Sequence, residues 1–350
     1  MPATPRTLSQ QREKQLQTLK RGKHTQHRSG RVWEERLGDK VEGALTKTNL
    51  RDHGISSVAE WNTKATARRA ARTTLNALLV DPSVPGVDKM AAKAAYNMTW
   101  SKTLFNCQGC WLLPGFCVCN RLARVRAETR VVVHVHHIEW GKASNTGCVI
   151  RQTLEGSEIL MKGCREHDAR IAELFADDSV TTAVLWPGEN ALSGAQLKAV
   201  AAERTGGRIA VIAVDATWRN ARGVAGAYPE GAITVKLSPD SPIISSTTQS
   251  LLYPVRKYRG DMRASARVST LEAVAALLVE LEGGDDQAGA LIANVKIKVD
   301  AVLAQKNRPA AYDLGASSSG DEDTCPRPER VRTAEPAEAA TAAVDVTTTA

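Results

Sequence analysis

A chain of 350 residues can bury one large core or two modest ones. Its 43% hydrophobic and 24% charged content is that of a globular protein. No run nears the roughly 18 apolar residues of a membrane span, and the N-terminus lacks a secretory apolar core, so a soluble intracellular protein with no membrane partner is expected. The net charge of +8 is uneven: after residue 308 eight acids face three arginines, a net of −5 that leaves +13 on residues 1–308. Such a body suits a polyanion, whose counterions Lys and Arg release, although a solvated basic surface without a partner reads the same way.

Residues 1–31 hold eight basic residues and one acid, Glu13, with few large apolar side chains. They are predicted to form a disordered basic arm. The arm could touch RNA, direct organellar import, or serve nuclear import through "KRGKH", so nucleus, cytoplasm and an organelle are the expected locations. Residues 32–100 read as a helical extension. Val58, Trp61, Ala65, Leu75, Leu78 and Leu79 recur near helical intervals beside Arg68, Arg69 and Arg72; "DPSVPG" interrupts, and "DKMAAKAAYNMTW" begins a second helix.

"CQGCWLLPGFCVC", within residues 101–126, places Cys107, Cys110, Cys117 and Cys119 on two tight turns. Four thiolates at this spacing suit a structural tetrahedral zinc, with Gly109, Pro114 and Gly115 letting the backbone fold back. A disulfide framework would distribute its cysteines differently.

Over residues 127–307 the β-branched runs "RVVVHVHH", "VTTAVLW", "RIAVIAV" and "AITVKL" alternate with helices expected near 145–155, 164–176, 193–205 and 216–227. "STLEAVAALLVELEG" and "DDQAGALIANVKIKVDAVLAQ" add two more. Strands separated by helices predict an α/β domain with a mostly parallel sheet covered on both faces. Residues 308–350 lose large apolar side chains and are predicted to be a disordered acidic tail.

In open α/β sheets chemistry gathers beyond the carboxyl ends of the strands. Four segments fall there: "HHIEWGKASNTG", "LWPGE", "DATWRNAR" and "RVSTLEA". Each has a structural reading. Asn145 or Thr146 could cap a helix, Pro187 and Gly188 could form a turn, Asp215 could cap the next helix, and Ser269 with Glu272 forms a capping box.

Taken together, in this order, the segments resemble the DTW-domain family. The resemblance rests on Asp215, Thr217 and Trp218 followed by Arg219 and Arg222, and on the cysteine cluster. It rests also on His136, Glu139, Lys142, Asn145, Thr146 and Gly147, on Pro187, Gly188 and Glu189, and on Ser269 to Ala273, together spanning about residues 107–282. It implies a tRNA-uridine aminocarboxypropyltransferase that uses S-adenosylmethionine, on a domain similar to the knotted SPOUT methyltransferases, with the strand-end loops forming the cofactor pocket. On that reading Asp215, Thr217 and Trp218 are catalytic. Pro187, Gly188, Glu189, Asp215, Arg219, Ser269, Thr270 and Glu272 hold the cofactor, and His136, Lys142, Asn145, Arg222, Arg256 and Arg259 face the tRNA. Two alternatives share these features: a SPOUT-like RNA methyltransferase, and a non-catalytic zinc-ribbon RNA-binding protein.

Overall fold

A computed structural model describes residues 50, 52–100, 104–245, 250–255 and 268–312. The expected basic arm, all but the first residues of the acidic tail, and Arg256 and Arg259 lie outside the described residues. The described residues fall into two units, divided between Thr66 and Ala67. In the first, Ile55 N donates to Leu50 O at 3.0 Å, and His53 meets the Trp61 ring edge-on at 5.1 Å. Helix α1 (Val58–Val80) begins there, its start bracketed by Ser57, whose Oγ accepts from Glu60 N at 3.1 Å. No helix among the described residues is long and apolar enough to cross a membrane.

The second unit carries α2 (Gly86–Thr99), the four-cysteine segment and an α/β domain. In chain order the domain runs β1 (Arg130–Val135), α3 (Gly147–Thr153), β2 (Glu158–Met161), α4 (Arg165–Ala176), β3 (Thr181–Leu185), α5 (Gly194–Thr205), β4 (Ile209–Asp215), α6 (Trp218–Ala225), β5 (Ile233–Val235), α7 (Pro242–Ser245), α8 (Thr270–Glu282) and α9 (Asp285–Ala304). The sheet order is β2-β1-β4-β3-β5 and every pairing is parallel. The predicted parallel α/β architecture is therefore present, with one strand more than the four expected: β2 sits at an edge beside β1.

Strand alternation sorts the two faces. Val131, Val133, Val135 and Ala213 pack on one face with Val149 and Ile150 of α3, Leu271, Val274 and Leu278 of α8, and Leu291 and Val295 of α9. On that same face Ala183, Ile209 and Val211 meet Leu197 and Ala201 of α5 and Leu277 and Leu281 of α8. Val132, Leu160 and Ile212 point the other way, onto Ile171 and Leu174 of α4. Helices α5 and α8 start in full capping boxes, Ser193 with Gln196 and Ser269 with Glu272, and stop at left-handed glycines, Gly206 (φ 62°) and Gly283 (φ 63°).

From β1 the chain crosses outward to β2, whereas from β4 it crosses to the far side, towards β5. The carboxyl ends of β1 and β4 therefore border the point where strand order reverses, which is where an open parallel sheet leaves a crevice. Val135 and Asp215 are paired there, and His136 N donates to Asp215 O at 3.0 Å.

Candidate active site and four-cysteine centre

Asp215 is the last residue of β4, and its side chain turns to the face covered by α3 and α8. Its Oδ2 accepts from Asn145 Nδ2 at 2.6 Å, and its Oδ1 accepts from Thr270 Oγ1 at 3.0 Å. Asn145 Oδ1 in turn accepts from Gly147 N at 2.9 Å. One carboxylate thus ties the loop after β1 to the first residue of α8. Asp215 does not cap the following helix, because Thr217 holds the cap position and makes no side-chain cap bond. Burial pushes the Asp215 carboxyl above its ordinary range, against the pull of Asn145 and Thr270 in the opposite direction.

Close packing at this point depends on Gly147. A Cβ there would lie 2.8 Å from Asp215 Oδ2, 2.8 Å from Val133 Cγ1 and 3.2 Å from Asn145 Oδ1. The backbone of α3 starts where a side chain would displace the carboxylate.

Glu272, fully buried in the first turn of α8, braces the same corner from behind. Its carboxylate accepts from Ser269 N at 2.7 Å, Ser250 Oγ at 2.7 Å and Leu251 N at 2.9 Å. The bonds to Ser250 and Leu251 hold the loop at 250–252 against the helix that carries Thr270, while the bond to Ser269 N closes that helix's capping box. Glu272→Gln replaces one acceptor oxygen by an NH2 that faces donors. It is expected to lower stability by about 1–3 kcal/mol, measured by urea unfolding.

The remaining sequence-predicted residues form a more open rim. His136 is half-buried and stacks on His137 with centroids 4.2 Å apart. Burial holds its imidazole below the ordinary histidine range although Glu139 pulls it up. Lys142 Nζ pairs with Glu139 at 2.6 Å. Pro187, Gly188, Glu189, Thr217, Arg219 and Arg222 are exposed. Trp218 is 49% exposed, with its ring 5.9 Å from that of Trp186. Asp215, Asn145 and Thr270 are brought into direct contact by their side chains, and Ser269 and Glu272 back them; His136 and Lys142 touch this group through the backbone alone, His136 N to Asp215 O and Asn145 N to Lys142 O, both at 3.0 Å.

Cys107, Cys110, Cys117 and Cys119 converge so that their four Sγ atoms all lie within 4.8 Å of one another. The contacts Cys107–Cys117 at 3.5 Å, Cys107–Cys119 at 3.6 Å and Cys110–Cys117 at 3.7 Å match the edge of about 3.8 Å for a tetrahedron with metal–sulfur bonds of about 2.3 Å. These residues could hold zinc. The thiols are unlike one another: hydrogen bonds from its three neighbours hold Cys107 below the ordinary thiol range, and the same bonds to Cys107 drive Cys117 and Cys119 above it. The turn is compressed: a Cβ on Gly109 would stand 2.6 Å from Cys119 Sγ, and Trp111 adopts φ 60° to close the first turn.

Sequence reasoning missed a buried link between this centre and the sheet. Lys298 on α9, 2% exposed, donates from Nζ to Cys110 O at 2.6 Å and to Cys148 Sγ at 2.7 Å. Cys148 lies on α3 directly after Gly147, so the four-cysteine turn is bolted to the segment that positions Asn145. A lysine spaced three, one and four residues from Val295, Val299 and Val302 on an apolar helix face was the available signal.

A model of the DTW domain matches residues 104–303, more than half of the chain. The chain belongs to the DTW-domain family. No curated protein and no solved structure matches it. The matched segment of this DTW protein takes in the four-cysteine centre, the whole sheet and nearly all of α9, so the site and its metal-type support fall inside one family unit.

Proposed function

We propose that this DTW protein is a tRNA-uridine aminocarboxypropyltransferase, with the crevice at the ends of β1 and β4 as its active site. The observation that carries the reading is the Asp215–Asn145–Thr270 contact, which joins three of the family's signature segments at the topological switch point. S-adenosylmethionine, when bound, supplies a sulfonium-activated propyl carbon for attack by uracil N3, with methylthioadenosine as the leaving group.

The chain's own residues then have defined tasks. A displacement of this kind gains most from alignment, so the first requirement is a rigid strand-end framework. Asp215 supplies it. Because Thr270 Oγ1 donates to Asp215, its lone pairs remain for a donor outside the cluster, and an imide N–H is such a donor. The hydroxyl orients the base through its N3–H; that proton passes to Thr270 Oγ1 as the hydroxyl's own proton moves to the Asp215 carboxylate and on to solvent, which frees the N3 lone pair for attack. Arg219 and Arg222, both exposed on α6, are assigned to the cofactor carboxylate and to an RNA phosphate respectively, anions that a guanidinium binds in bidentate fashion. Zinc in the four-thiolate shell has no open position for chemistry; its role is to hold the turn that Lys298 fastens to α3.

Asp215→Asn is expected to reduce turnover by about 100-fold or more while leaving tRNA affinity within a few-fold. Ionised Asp215 is the working form and its pKa is raised above the ordinary 3.8, so turnover falls as pH drops through that raised value. The acid limb of the rate profile thus lies above pH 3.8, and it disappears from the residual rate of the Asn variant. Turnover near the normal rate in Asp215→Asn would remove the residue from the mechanism.

A further inference from the structure

On the opposite face of the sheet from the Asp215 carboxylate lies a cleft of about 410 Å3, between α6 and the strands β3 and β5. Trp186, Arg222, Tyr228, Pro229 and Thr234 are among the residues that line it, and Trp218 meets Trp186 ring to ring at 5.9 Å. Tyr228 is a rigid wall: its hydroxyl shares a 2.8 Å hydrogen bond with buried His134 Nδ1, and Phe175 packs against its ring at 5.5 Å. Two flat aromatic surfaces with an exposed guanidinium are the chemistry of a platform for single-stranded nucleic acid, where bases stack on rings and arginine takes the phosphate. A small-molecule adenosine site of this type would need an acceptor for the ribose hydroxyls, commonly a carboxylate, and none of the described residues lining the cleft carries one.

We propose that this cleft holds an unstacked nucleotide of the RNA substrate, a neighbour of the uridine that is modified, with its base against Trp186 and Tyr228 and its phosphate on Arg222. The sheet separates the cleft from the Asp215 carboxylate, so the base it takes is a different one from the base at that carboxylate. The inference rests on the RNA-modifying reading above and adds a second contact point, which makes recognition depend on an unpaired nucleotide beside the target. An aromatic platform is tolerant of base identity, so the gain is mainly in affinity and in keeping the loop open.

The test uses the full chain and an unmodified tRNA transcript. Binding is measured by fluorescence anisotropy without S-adenosylmethionine, and transfer is measured separately. Trp186→Ala is expected to weaken tRNA binding about 5- to 100-fold, Trp186→Phe to restore most of it, and the KM for S-adenosylmethionine to stay unchanged. Ala225→Phe, which fills the cleft from the last residue of α6, should produce the same loss with an unaltered melting temperature; it decides the matter if Trp186→Ala fails to fold. Unchanged tRNA affinity in Ala225→Phe overturns the proposal, as does a rise in the cofactor KM with tRNA binding intact, which would make the occupant an adenosine. If the wild-type protein binds tRNA through this cleft yet transfers nothing, the cleft stands and the proposed reaction falls.

Discussion

Stripping metal from the four-cysteine centre is expected to unfold the heart of the second unit, with a loss larger than any single core truncation would cause. Cys110, Trp111, Leu112 and Val118 are each at most 1% exposed, and they pack in the same cluster as β1, α3, α8 and α9. The turn is therefore a wall of the main core. It is held in shape by four sulfurs that repel one another when ionised, and structural zinc sites of this kind contribute on the order of 10 kcal/mol of apparent binding energy in small peptides. Cys110→Ser is expected to cost more than about 4 kcal/mol and to lower the metal content measured by plasma mass spectrometry. Cys164→Ser, at a half-buried thiol outside the cluster, should stay within about 0.5 kcal/mol. Equal, small changes in both variants, or a purified protein that is stable and active with no bound metal, would contradict this account of the centre.

Gly147→Ala is expected to abolish turnover through one added methyl group. Alanine is the better helix former by about 1 kcal/mol, and Gly147 is the first residue of α3 with no positive φ, so propensity alone predicts a gain. The geometry predicts the reverse, since the new Cβ would stand 2.8 Å from both Asp215 Oδ2 and Val133 Cγ1. Either the carboxylate moves, breaking its bonds to Asn145 and Thr270, or α3 moves and takes Asn145 with it. Overpacking of this kind costs about 1–3 kcal/mol, and a displacement near 1 Å at a reacting site costs about 100-fold in rate. Gly223→Ala in α6, where no atom lies within 4 Å of the added Cβ, is the matched control and should leave stability equal or slightly higher. If Gly147→Ala behaved like that control, the tight packing around Asp215 would have no functional weight.

The architecture was legible because β-branched runs and helical periodicities alternate clearly from residue 129 to 237. The missed strand shows where that signal ends. Strand β2, "EILM", is four residues long between Gly156 and Gly163, too short for alternation to register, and it begins on the charged Glu158, which pairs with Arg130 and Arg170. The site was legible as a set of segments but not as a set of contacts. Asn145 and Asp215 lie 70 positions apart and Thr270 a further 55, so their meeting is a property of sheet order and of how α8 packs on the sheet. Thr270 illustrates the difference: the resemblance implied a cofactor residue, and only the fold shows that its hydroxyl donates to the Asp215 carboxylate. Glu272 likewise belongs to a cap that reaches across to Ser250 and Leu251. Trp186 stood inside the "LWPGE" segment without a role of its own and Tyr228 gave no motif, because an aromatic wall is defined by what it faces.

The measurement that tests the central claim most directly follows the transferred carbon. Unmodified tRNA is incubated with the protein and S-adenosylmethionine labelled either in the methionine chain or in the methyl group, and the digested nucleosides are read by mass spectrometry. The account predicts that the chain label alone appears on uridine, at N3, with methylthioadenosine released, and that Asp215→Asn loses this product. Transfer of the methyl label with release of S-adenosylhomocysteine, or no labelled nucleoside from a folded protein that binds tRNA, would contradict it.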